Sequence, residues 1–307
     1  GHEGTTGLRI HERLSDRKDI ELLATADEDR KNVEAIKAVA KETDIVFLCL
    51  PDAASKEIMA AIGELPCKVI DTSTAFRTAD DWAYGFPELG ADYKTAIASE
   101  KHIANPGCHA SGMIACIAPL VKAGFVPPDY PFTIISLTGY SGGGKKMIGQ
   151  YESDPKDYFL YAPRQYGLGQ QHKHLPEVQH VCGLSEAPIF MPIVDDYYSG
   201  MEVTVGIHSR LCRKPISIDK VQQVLEDFYK DSTVITVVPF TDNSNTGMLH
   251  ANQLSNTDSM KIYVTGNDER IMVHAIFDNL GKGASGAAVQ CMNIALGLPE
   301  ETGLALG

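Results

Sequence analysis

The first third of the chain alternates short apolar runs with amphipathic stretches, at the spacing of repeated strand–helix–strand units. The run 45–50, Ile-Val-Phe-Leu-Cys-Leu, is continuously apolar, which is typical of a parallel strand buried on both faces. Residues 20–24 and 67–71 predict two further strands. The amphipathic stretches predict helices over 8–14, 30–40 and 53–62. This pattern predicts an α/β domain of the Rossmann type, with a doubly wound parallel sheet that binds a nucleotide.

Beyond residue 121 the pattern changes to longer strands in which apolar and polar positions alternate. Strands are predicted over 132–138, 189–194, 201–208, 234–238, 260–265 and 271–277, and a helix over 217–230. Gly-Asn-Asp-Glu at 266–269 joins the last two strands as a hairpin. Segregated strands of this kind predict a separate α+β domain with a mostly antiparallel, mixed sheet.

Small residues dominate a final apolar helix, predicted over 287–296, and permit it to pack back against the nucleotide domain. We therefore predict a nucleotide-binding domain over residues 1–107, completed by residues 279–307. Residues 108–278 form the second predicted domain.

Three glycines open the chain: Gly1, Gly4 and Gly7 lie in a G-x-x-G-x-x-G turn before the first predicted helix. Such a turn lets backbone N–H groups approach a pyrophosphate without interference from Cβ atoms. The turn alone is a weak signal, and the strand–helix rhythm that follows strengthens it. Because the turn should follow a central strand, we expect further residues before Gly1 in the physical molecule.

Charged residues after the second predicted strand bear on the choice of nicotinamide nucleotide. Asp27 lies about 20 residues after the glycines, where NAD enzymes place an acid on the ribose hydroxyls. The adjacent pair Arg30 and Lys31 suits a 2′-phosphate better, so we predict NADP. Ordinary solvated charges at a helix start are the alternative interpretation of this pair.

A candidate nucleophile lies in the stretch 104–112, Ala-Asn-Pro-Gly-Cys-His-Ala-Ser-Gly, which leads into a small-residue apolar run that predicts a buried helix. Pro106 and Gly107 break the chain just before this run, so Cys108 is expected in the first helical turn. Unpaired N–H groups and the positive end of the helix dipole stabilise a thiolate there. A small cysteine that only packs in the core is the alternative.

Two polar segments carry candidate anion-binding side chains. Arg77 follows a predicted strand, where its guanidinium can clamp a phosphate or carboxylate; an ordinary surface arginine is the alternative. The glycine loop at 139–146 carries Lys145 and Lys146 but does not match the Walker pattern, which excludes a kinase of that type.

A pair of histidines, His172 and His174, supplies candidate bases for Cys108, since thiol chemistry commonly pairs a cysteine with an imidazole distant in sequence. A metal site is disfavoured because no third ligand follows at a convincing spacing. Two polar residues ahead of a helix are the structural alternative.

Composition restricts the classes of function. The net charge of −13 argues against a nucleic-acid partner. No apolar stretch reaches the roughly 18 residues that span a membrane, and nothing near the start resembles a signal peptide. The seven cysteines are scattered without C-x-x-C spacing, which argues for a reducing compartment. We expect a cytoplasmic enzyme that acts on a small molecule.

Six segments together resemble the N-acetyl-gamma-glutamyl-phosphate reductase family of arginine biosynthesis, in its shorter, type 2 form. They are the glycine turn with Thr5 and Thr6, and residues 71–77, 84–89, 105–108, 172–177 and 279–286. They span nearly the whole chain in the right order, which is far more specific than any single motif. The absence of a strand before the glycine turn is the main departure.

The resemblance implies NADPH-dependent reduction of N-acetyl-L-glutamyl 5-phosphate to N-acetyl-L-glutamate 5-semialdehyde and phosphate, through a thioester on Cys108. It implies that one histidine of the pair is the acid–base group. We favour His174, because it directly precedes Leu-Pro-Glu and Glu177 can orient its ring; His172 would then lie nearer the substrate. Aspartate-semialdehyde dehydrogenase, or another acyl-phosphate reductase of the same architecture, is the alternative. A thiol hydrolase and a non-catalytic nucleotide sensor are more distant alternatives.

The same resemblance implies an architecture related to aspartate-semialdehyde dehydrogenase and a homo-oligomer, dimer or tetramer, formed through the sheet of the second domain. That domain, 108–278, is then catalytic and oligomerising. Further substrate-binding residues are expected to be Arg77, Asn105 and Lys145. Cofactor-binding residues are expected to be Gly1, Gly4, Thr5, Thr6, Gly7, Arg30, Ser73, Asn279 and Gly283.

Overall fold

A computed structural model describes residues 4–239 and 247–307 of the chain. Gly1, predicted for the cofactor turn, therefore lies outside the described residues. The chain divides into two compact units. The first unit is Gly1–Pro106 with Ala284–Leu304, and the second is Gly107–Gly283 with Ala305–Gly307.

Helices and strands of the described residues are numbered in chain order. The helices are α1 Thr5–Ser15, α2 Val33–Ala40, α3 Asp52–Ile62, α4 Ala91–Ser99, α5 Cys108–Lys122, α6 Gly144–Tyr151, α7 Leu175–Cys182, α8 Ile218–Tyr229 and α9 Gly286–Ala295. The strands are β1 Ile45–Leu48, β2 Lys68–Asp71, β3 Ala83–Tyr84, β4 His102–Ala104, β5 Thr133–Gly139, β6 Arg164–Gln165, β7 Ile189–Asp195, β8 Met201–His208, β9 Ile235–Val237, β10 Met260–Asn267 and β11 Arg270–Phe277.

The first unit is a parallel sheet, in the order β1-β2-β4-β3, with helices on both faces. On one face Ile97 of α4 and Met292 of α9 pack in one cluster with Ile70 of β2. On the other face Ile62 of α3 packs with Val69, the neighbour of Ile70 along the same strand. Successive strand residues point to opposite faces, so one apolar strand serves both layers. The doubly wound α/β prediction is confirmed.

The predicted strand at residues 20–24 is wrong, because this segment is irregular in the structure. Leu22 and Leu23 are adjacent and both exposed, at 38% and 44%, whereas a strand on a packed sheet buries alternate side chains. Among the described residues β1 pairs only with β2, so no strand lies beside its other edge. An extended segment with no partner leaves its backbone groups to solvent rather than to a sheet.

Helix α1 begins at Thr5, three residues earlier than predicted. Gly4 is its N-cap, in an extended conformation with φ −71° and ψ 159°. Gly7 therefore lies inside the helix, where it is buried, rather than in the preceding turn.

The second unit contains a seven-stranded sheet in the order β6-β7-β5-β8-β11-β10-β9. β5 is parallel to β7, and β9 is parallel to β10. The remaining four pairs of neighbours are antiparallel, and β10 and β11 form the predicted hairpin. The predicted mixed, mostly antiparallel sheet is confirmed.

Helix α5 packs against this sheet and is the central helix of the second unit. Every residue from His109 to Leu120 is buried, as expected for a helix that is apolar nearly all round. Gly112 permits a close approach to the sheet: a Cβ there would lie 2.4 Å from Val203 Cγ2 and 2.9 Å from Phe277 Cε1. Neither α5 nor any other helix in residues 4–239 and 247–307 is long and apolar enough to cross a membrane.

We predict that Gly112→Ala lowers the free energy of unfolding by about 1–3 kcal/mol, because the new methyl group overpacks the contact between α5 and β8. Urea unfolding measures the change. The matched control is Gly149→Ala on α6, where an added Cβ meets nothing within 4 Å. That control should raise the free energy of unfolding by about 0.5–1 kcal/mol through helix propensity. Equal effects of the two substitutions would contradict the close approach.

Candidate active site

Cys108 is the first residue of α5, which confirms the predicted helix start. Gly107 is the N-cap, extended at φ −77° and ψ 146°, and the first helical turn carries no acidic residue. Cys108 is partly exposed, whereas Cys116 two turns along the same helix is buried. Backbone N–H groups and the helix dipole at such a position favour a thiolate.

A buried carboxylate connects this turn to α7. The Gly107 N–H donates a hydrogen bond to Glu177 Oε1 at 2.8 Å, and Glu177 is only 1% exposed. Glu177 lies in the first turn of α7, and His174 is the N-cap of that helix. Sequence reasoning missed this contact. It brings the start of the cysteine helix to the start of the histidine helix.

His172 and His174 lie together at that position, with ring centroids 4.7 Å apart. The backbone N–H of His174 donates a hydrogen bond to His172 Nδ1 at 3.2 Å. The side chain of His174 is buried, whereas that of His172 is partly exposed. Burial, together with the charge of Lys173, lowers the pKa of His172, so its imidazole is neutral near pH 7. No group of three or more His, Cys, Asp or Glu side chains suited to a metal occurs in the described part of the chain.

A third imidazole, that of His109, packs against both of these histidines. Its ring centroid lies 5.5 Å from that of His172 and 5.7 Å from that of His174. Nδ1 of His109 is 2.7 Å from Ser136 Oγ, and Nε2 is 2.6 Å from Tyr166 Oη. Burial lowers the pKa of His109 to about 3. Sequence reasoning missed this residue, although its position next to Cys108 was an available signal.

Tyr166 follows β6 and closes this cluster of rings. Its ring centroid lies 6.1 Å from the rings of His109 and His172. Burial, and then the negative charge of Cys108, raise the pKa of Tyr166, so its hydroxyl keeps its proton at physiological pH. The arrangement therefore combines a thiol, neutral imidazoles and a phenol in a largely buried setting.

Gly283 lies directly against Cys108, since a Cβ at position 283 would be 3.0 Å from the Cβ of Cys108. It belongs to a π-helical turn, Gly281–Ser285, a feature often found at functional sites. Asn279 is 2% exposed; it accepts from Gly200 N–H at 2.9 Å and donates to Ser141 Oγ at 3.0 Å. The prediction that Asn279 and Gly283 contact the cofactor stays a prediction.

In the first unit, the buried guanidinium of Arg77 connects the loops that follow β2 and β4. It donates to Asn105 O at 2.9 Å and to Thr72 O at 3.0 Å. These bonds give Arg77 a structural role that sequence reasoning did not foresee. Its role as a substrate anchor stays a prediction.

Asn105 presents a buried polar atom suited to a ligand. The side chain is 1% exposed, and its Nδ2 donates to Ala284 O at 3.1 Å. Its Oδ1 has no hydrogen-bond partner within the described residues. An unpaired buried acceptor costs about 1–3 kcal/mol, so this atom fits a donor group of a bound small molecule.

Of the residues predicted for the dinucleotide, Thr5, Thr6, Ser73 and Arg30 lie in the first unit. Thr5 and Thr6 are the first two residues of α1. Among the described residues, no side chain caps this helix start and no acidic residue lies in its first turn, so neither competes for the first N–H groups. Ser73, just beyond β2, donates through both its N–H and its hydroxyl to Asp71 Oδ2. Arg30 is exposed at the end of a 3-10 turn. In the second unit, Lys145 is exposed in the first turn of α6.

Sequence comparison relates both parts of the chain to known families. Residues 1–96 match the family described as "Semialdehyde dehydrogenase, NAD binding domain", and residues 108–279 match "Semialdehyde dehydrogenase, dimerisation domain". The chain is 39% identical over 316 residues to N-acetyl-gamma-glutamyl-phosphate reductase 2 of a Nostoc species, covering 99% of this chain and 97% of that protein. It is 41% identical over 300 residues to N-acetyl-gamma-glutamyl-phosphate reductase of Sinorhizobium medicae, covering 96% and 97%.

Solved structures share the fold at low identity. Aspartate semialdehyde dehydrogenase II from Vibrio cholerae superposes with a TM-score of 0.72 at 18% identity, covering 96% of each chain. Aspartate semialdehyde dehydrogenase with NADP from Candida albicans gives 0.68 at 14% identity, again covering 96% of each chain.

We predict that His109 makes the stability of the protein fall in mild acid. The unfolded chain binds a proton at this residue below about pH 6.5, whereas the folded protein does so only near pH 3. Between these values the unfolded state gains protons, so the free energy of unfolding falls as pH falls. From pH 7.5 to pH 5 this residue should contribute a loss of about 2 kcal/mol.

The measurement is urea unfolding of the native protein and of His109→Gln, which cannot titrate, at pH 7.5, 6 and 5. The stability advantage of the native protein should shrink by about 2 kcal/mol over this range. An advantage that stays constant would contradict a buried, neutral His109.

Proposed function

The chain belongs to the N-acetyl-gamma-glutamyl-phosphate reductase family of the semialdehyde dehydrogenases, and on this premise we propose that it reduces N-acetyl-L-glutamyl 5-phosphate to N-acetyl-L-glutamate 5-semialdehyde and phosphate. The observation that carries the proposal is the hydrogen bond from Gly107 N–H to Glu177 Oε1 at 2.8 Å. It joins the helix start that carries Cys108 to the turn that carries His172 and His174. A thiol nucleophile and an imidazole base are the two groups that this chemistry requires.

In the proposed reaction the Cys108 thiolate attacks the acyl carbon of the acyl phosphate. The S–C bond forms, the C–O bond to phosphate breaks, and phosphate leaves, which gives a thioester. The first N–H groups of α5 are proposed to hold the developing oxyanion, and one such donor contributes on the order of 3 kcal/mol in other enzymes. A thioester accepts hydride where a carboxylate does not.

His174 is the proposed acid–base group. It accepts the thiol proton before attack and returns it to the sulfur when the C–S bond breaks and the aldehyde is released. His172, which is partly exposed, is proposed to contact the substrate. Arg77, Asn105 and Lys145 keep their proposed roles as substrate-binding residues.

The cofactor is a nicotinamide nucleotide, and we propose that it is NADPH. When bound, it supplies the hydride that reduces the thioester. The first N–H groups of α1, capped by Gly4, are proposed to hold the pyrophosphate, because a helix N-terminus without a competing acid suits this group. Arg30 is proposed to contact the 2′-phosphate, and Ser73 to line the nucleotide site.

We also propose that the protein is a homo-oligomer formed through the outer face of the second sheet. Ile135 lies opposite Thr204, and Met272 lies opposite Gly206 two positions along β8, so both side chains point to one face. Both are exposed, at 42% and 40%, and Ile189 on the neighbouring strand β7 is 58% exposed. A row of exposed apolar side chains on one sheet face is typical of a subunit contact.

All seven cysteines are free thiols, which supports the proposal that the protein works in a reducing compartment, the cytoplasm.

We predict that Cys108→Ser abolishes turnover and leaves cofactor binding intact, because the serine hydroxyl is a far weaker nucleophile than a thiolate. Phosphate-dependent reduction of NADP with N-acetyl-L-glutamate 5-semialdehyde measures turnover, and nucleotide fluorescence titration measures binding. Cys212→Ser, which changes another partly exposed thiol, is the matched control and should retain activity. Activity that survives in Cys108→Ser would assign the nucleophile elsewhere.

The same assay with aspartate semialdehyde separates the proposal from its nearest alternative. We expect a strong preference for the N-acetylated substrate. A preference for aspartate semialdehyde would replace the proposed reaction with that of aspartate-semialdehyde dehydrogenase.

We predict that Ile135→Asp lowers the oligomeric state, because it places a charge in the proposed apolar contact. Sedimentation velocity measures the mass in solution. Leu168→Asp is the matched control: Leu168 is 72% exposed but lies outside the strands of the sheet, and its substitution should leave the mass unchanged. An unchanged mass for Ile135→Asp would exclude this face.

A further inference from the structure

Three polar groups form a chain beside the nucleophile: the hydroxyl of Ser136, the imidazole of His109 and the hydroxyl of Tyr166. The imidazole lies between the two hydroxyls, 2.7 Å from Ser136 Oγ through Nδ1 and 2.6 Å from Tyr166 Oη through Nε2. His109 is the residue after Cys108 on α5, so the middle member of these three groups is the sequence neighbour of the proposed nucleophile.

The protonation state of His109 fixes how many protons this chain contains. Because burial keeps the imidazole neutral, it has one N–H donor and one nitrogen acceptor. Two arrangements are possible. In the first, Ser136 donates to Nδ1 and the Nε2–H donates to Tyr166. In the second, Tyr166 donates to Nε2 and the Nδ1–H donates to Ser136.

The two arrangements differ in which hydroxyl proton is left over. In the second, the Ser136 proton needs another acceptor, yet Ser136 is 0% exposed and His109 is the only hydrogen-bond partner of its hydroxyl among residues 4–239 and 247–307. A buried donor without an acceptor costs about 1–3 kcal/mol. In the first arrangement the remaining proton is on Tyr166, which is partly exposed and so is not confined to acceptors within the protein. The first arrangement is therefore the more stable one.

We propose that His109 is a positioning residue, held by Ser136 as the Nε2–H tautomer, and that it leaves the Tyr166 hydroxyl proton free to hydrogen-bond the acyl oxygen of the substrate on Cys108. The inference rests on the proposed function. Tyr166 is then a catalytic residue that donates to the oxygen on which negative charge develops, while the imidazole only orients it.

The surroundings of Tyr166 suit this role. Its hydroxyl keeps its proton, because burial and the nearby charge of Cys108 both raise its pKa. The Tyr166 oxygen accepts a hydrogen bond from His109 Nε2–H, which holds the phenol in place. The O–H of Tyr166 is then left to act as a donor. A fixed donor in a water-poor site stabilises an oxyanion more strongly than solvent does.

The tautomer of His109 is measured directly by nitrogen-15 NMR of the full-length protein labelled at histidine, with His109→Gln to assign the signal. We expect the shift of a protonated nitrogen at Nε2 and of an unprotonated nitrogen at Nδ1. The reverse tautomer overturns the proposal. The tautomer does not depend on which substrate the enzyme uses. Failure of the proposed function is a separate result, and it would show as no turnover of N-acetyl-L-glutamate 5-semialdehyde by the native protein.

Kinetics tests the role of the tyrosine. Tyr166→Phe should lower kcat by about 100-fold with little change in KM, as expected when a single oxyanion donor is removed. Ser136→Ala should lower kcat by about tenfold, but have no further effect in the Tyr166→Phe background, because Ser136 acts on the reaction only through the Tyr166 hydroxyl. An unchanged kcat in Tyr166→Phe, or additive losses in the double variant, overturns the proposal.

Two further variants separate positioning from a merely structural role. His109→Gln keeps an N–H donor near the position of Nε2 and should retain more activity than His109→Leu. The two variants should have similar thermal stability. Thr265→Val is the matched control: it removes a hydroxyl that lies 2.9 Å from the Nε2 of a different imidazole, His274. Its kcat should stay within about twofold of the native value. Equal losses in His109→Gln and His109→Leu overturn the positioning role.

Discussion

The hydrogen bond between Gly107 N–H and Glu177 Oε1 is the contact on which the candidate site depends. It joins two helix starts that are 70 residues apart in sequence, and it does so with a carboxylate that is almost fully buried. A buried carboxyl group needs hydrogen-bond donors, and the N–H groups at a helix N-terminus have no partner within the helix. The cysteine turn and the histidine turn therefore hold each other in place, and neither is an independent loop.

Much of the fold follows from apolar periodicity alone. The continuous apolar run at β1 and the alternation along β8 both predict strands, and both strands lie where the pattern predicts. The start of α5 was also predictable, because Pro106 and Gly107 interrupt the chain directly before that helix. Periodicity failed at residues 20–24, where an apolar composition was present but no neighbouring strand was. A strand depends on its partner, and the local sequence does not contain that information.

The site was predictable only in part, for a related reason. Cys108 and the pair His172 and His174 belong to recognisable segments, so sequence alone singled them out. His109 and Tyr166 carry no such signal, because a histidine on an apolar helix and a tyrosine in a loop have many ordinary roles. Their importance comes from burial and from hydrogen bonds that join α5, β5 and the segment after β6. These contacts are long-range, and they become visible only once the sheet order is known.

Neighbouring residues of strand β5 point to opposite faces of the sheet. Ser136 points inward to the imidazole, and its neighbour Ile135 points outward on the exposed side. A slip of a single residue in the pairing of β5 with β8 would exchange them, placing an isoleucine against His109 and a serine on the surface. The register of the hydrogen bonds between β5 and β8 therefore determines two unrelated properties: the contact between Ser136 and His109, and the apolar character of the exposed face. Sequence changes in β5 are therefore constrained by both faces of the sheet. A change of register that improves packing on one face also alters the side chains presented on the other.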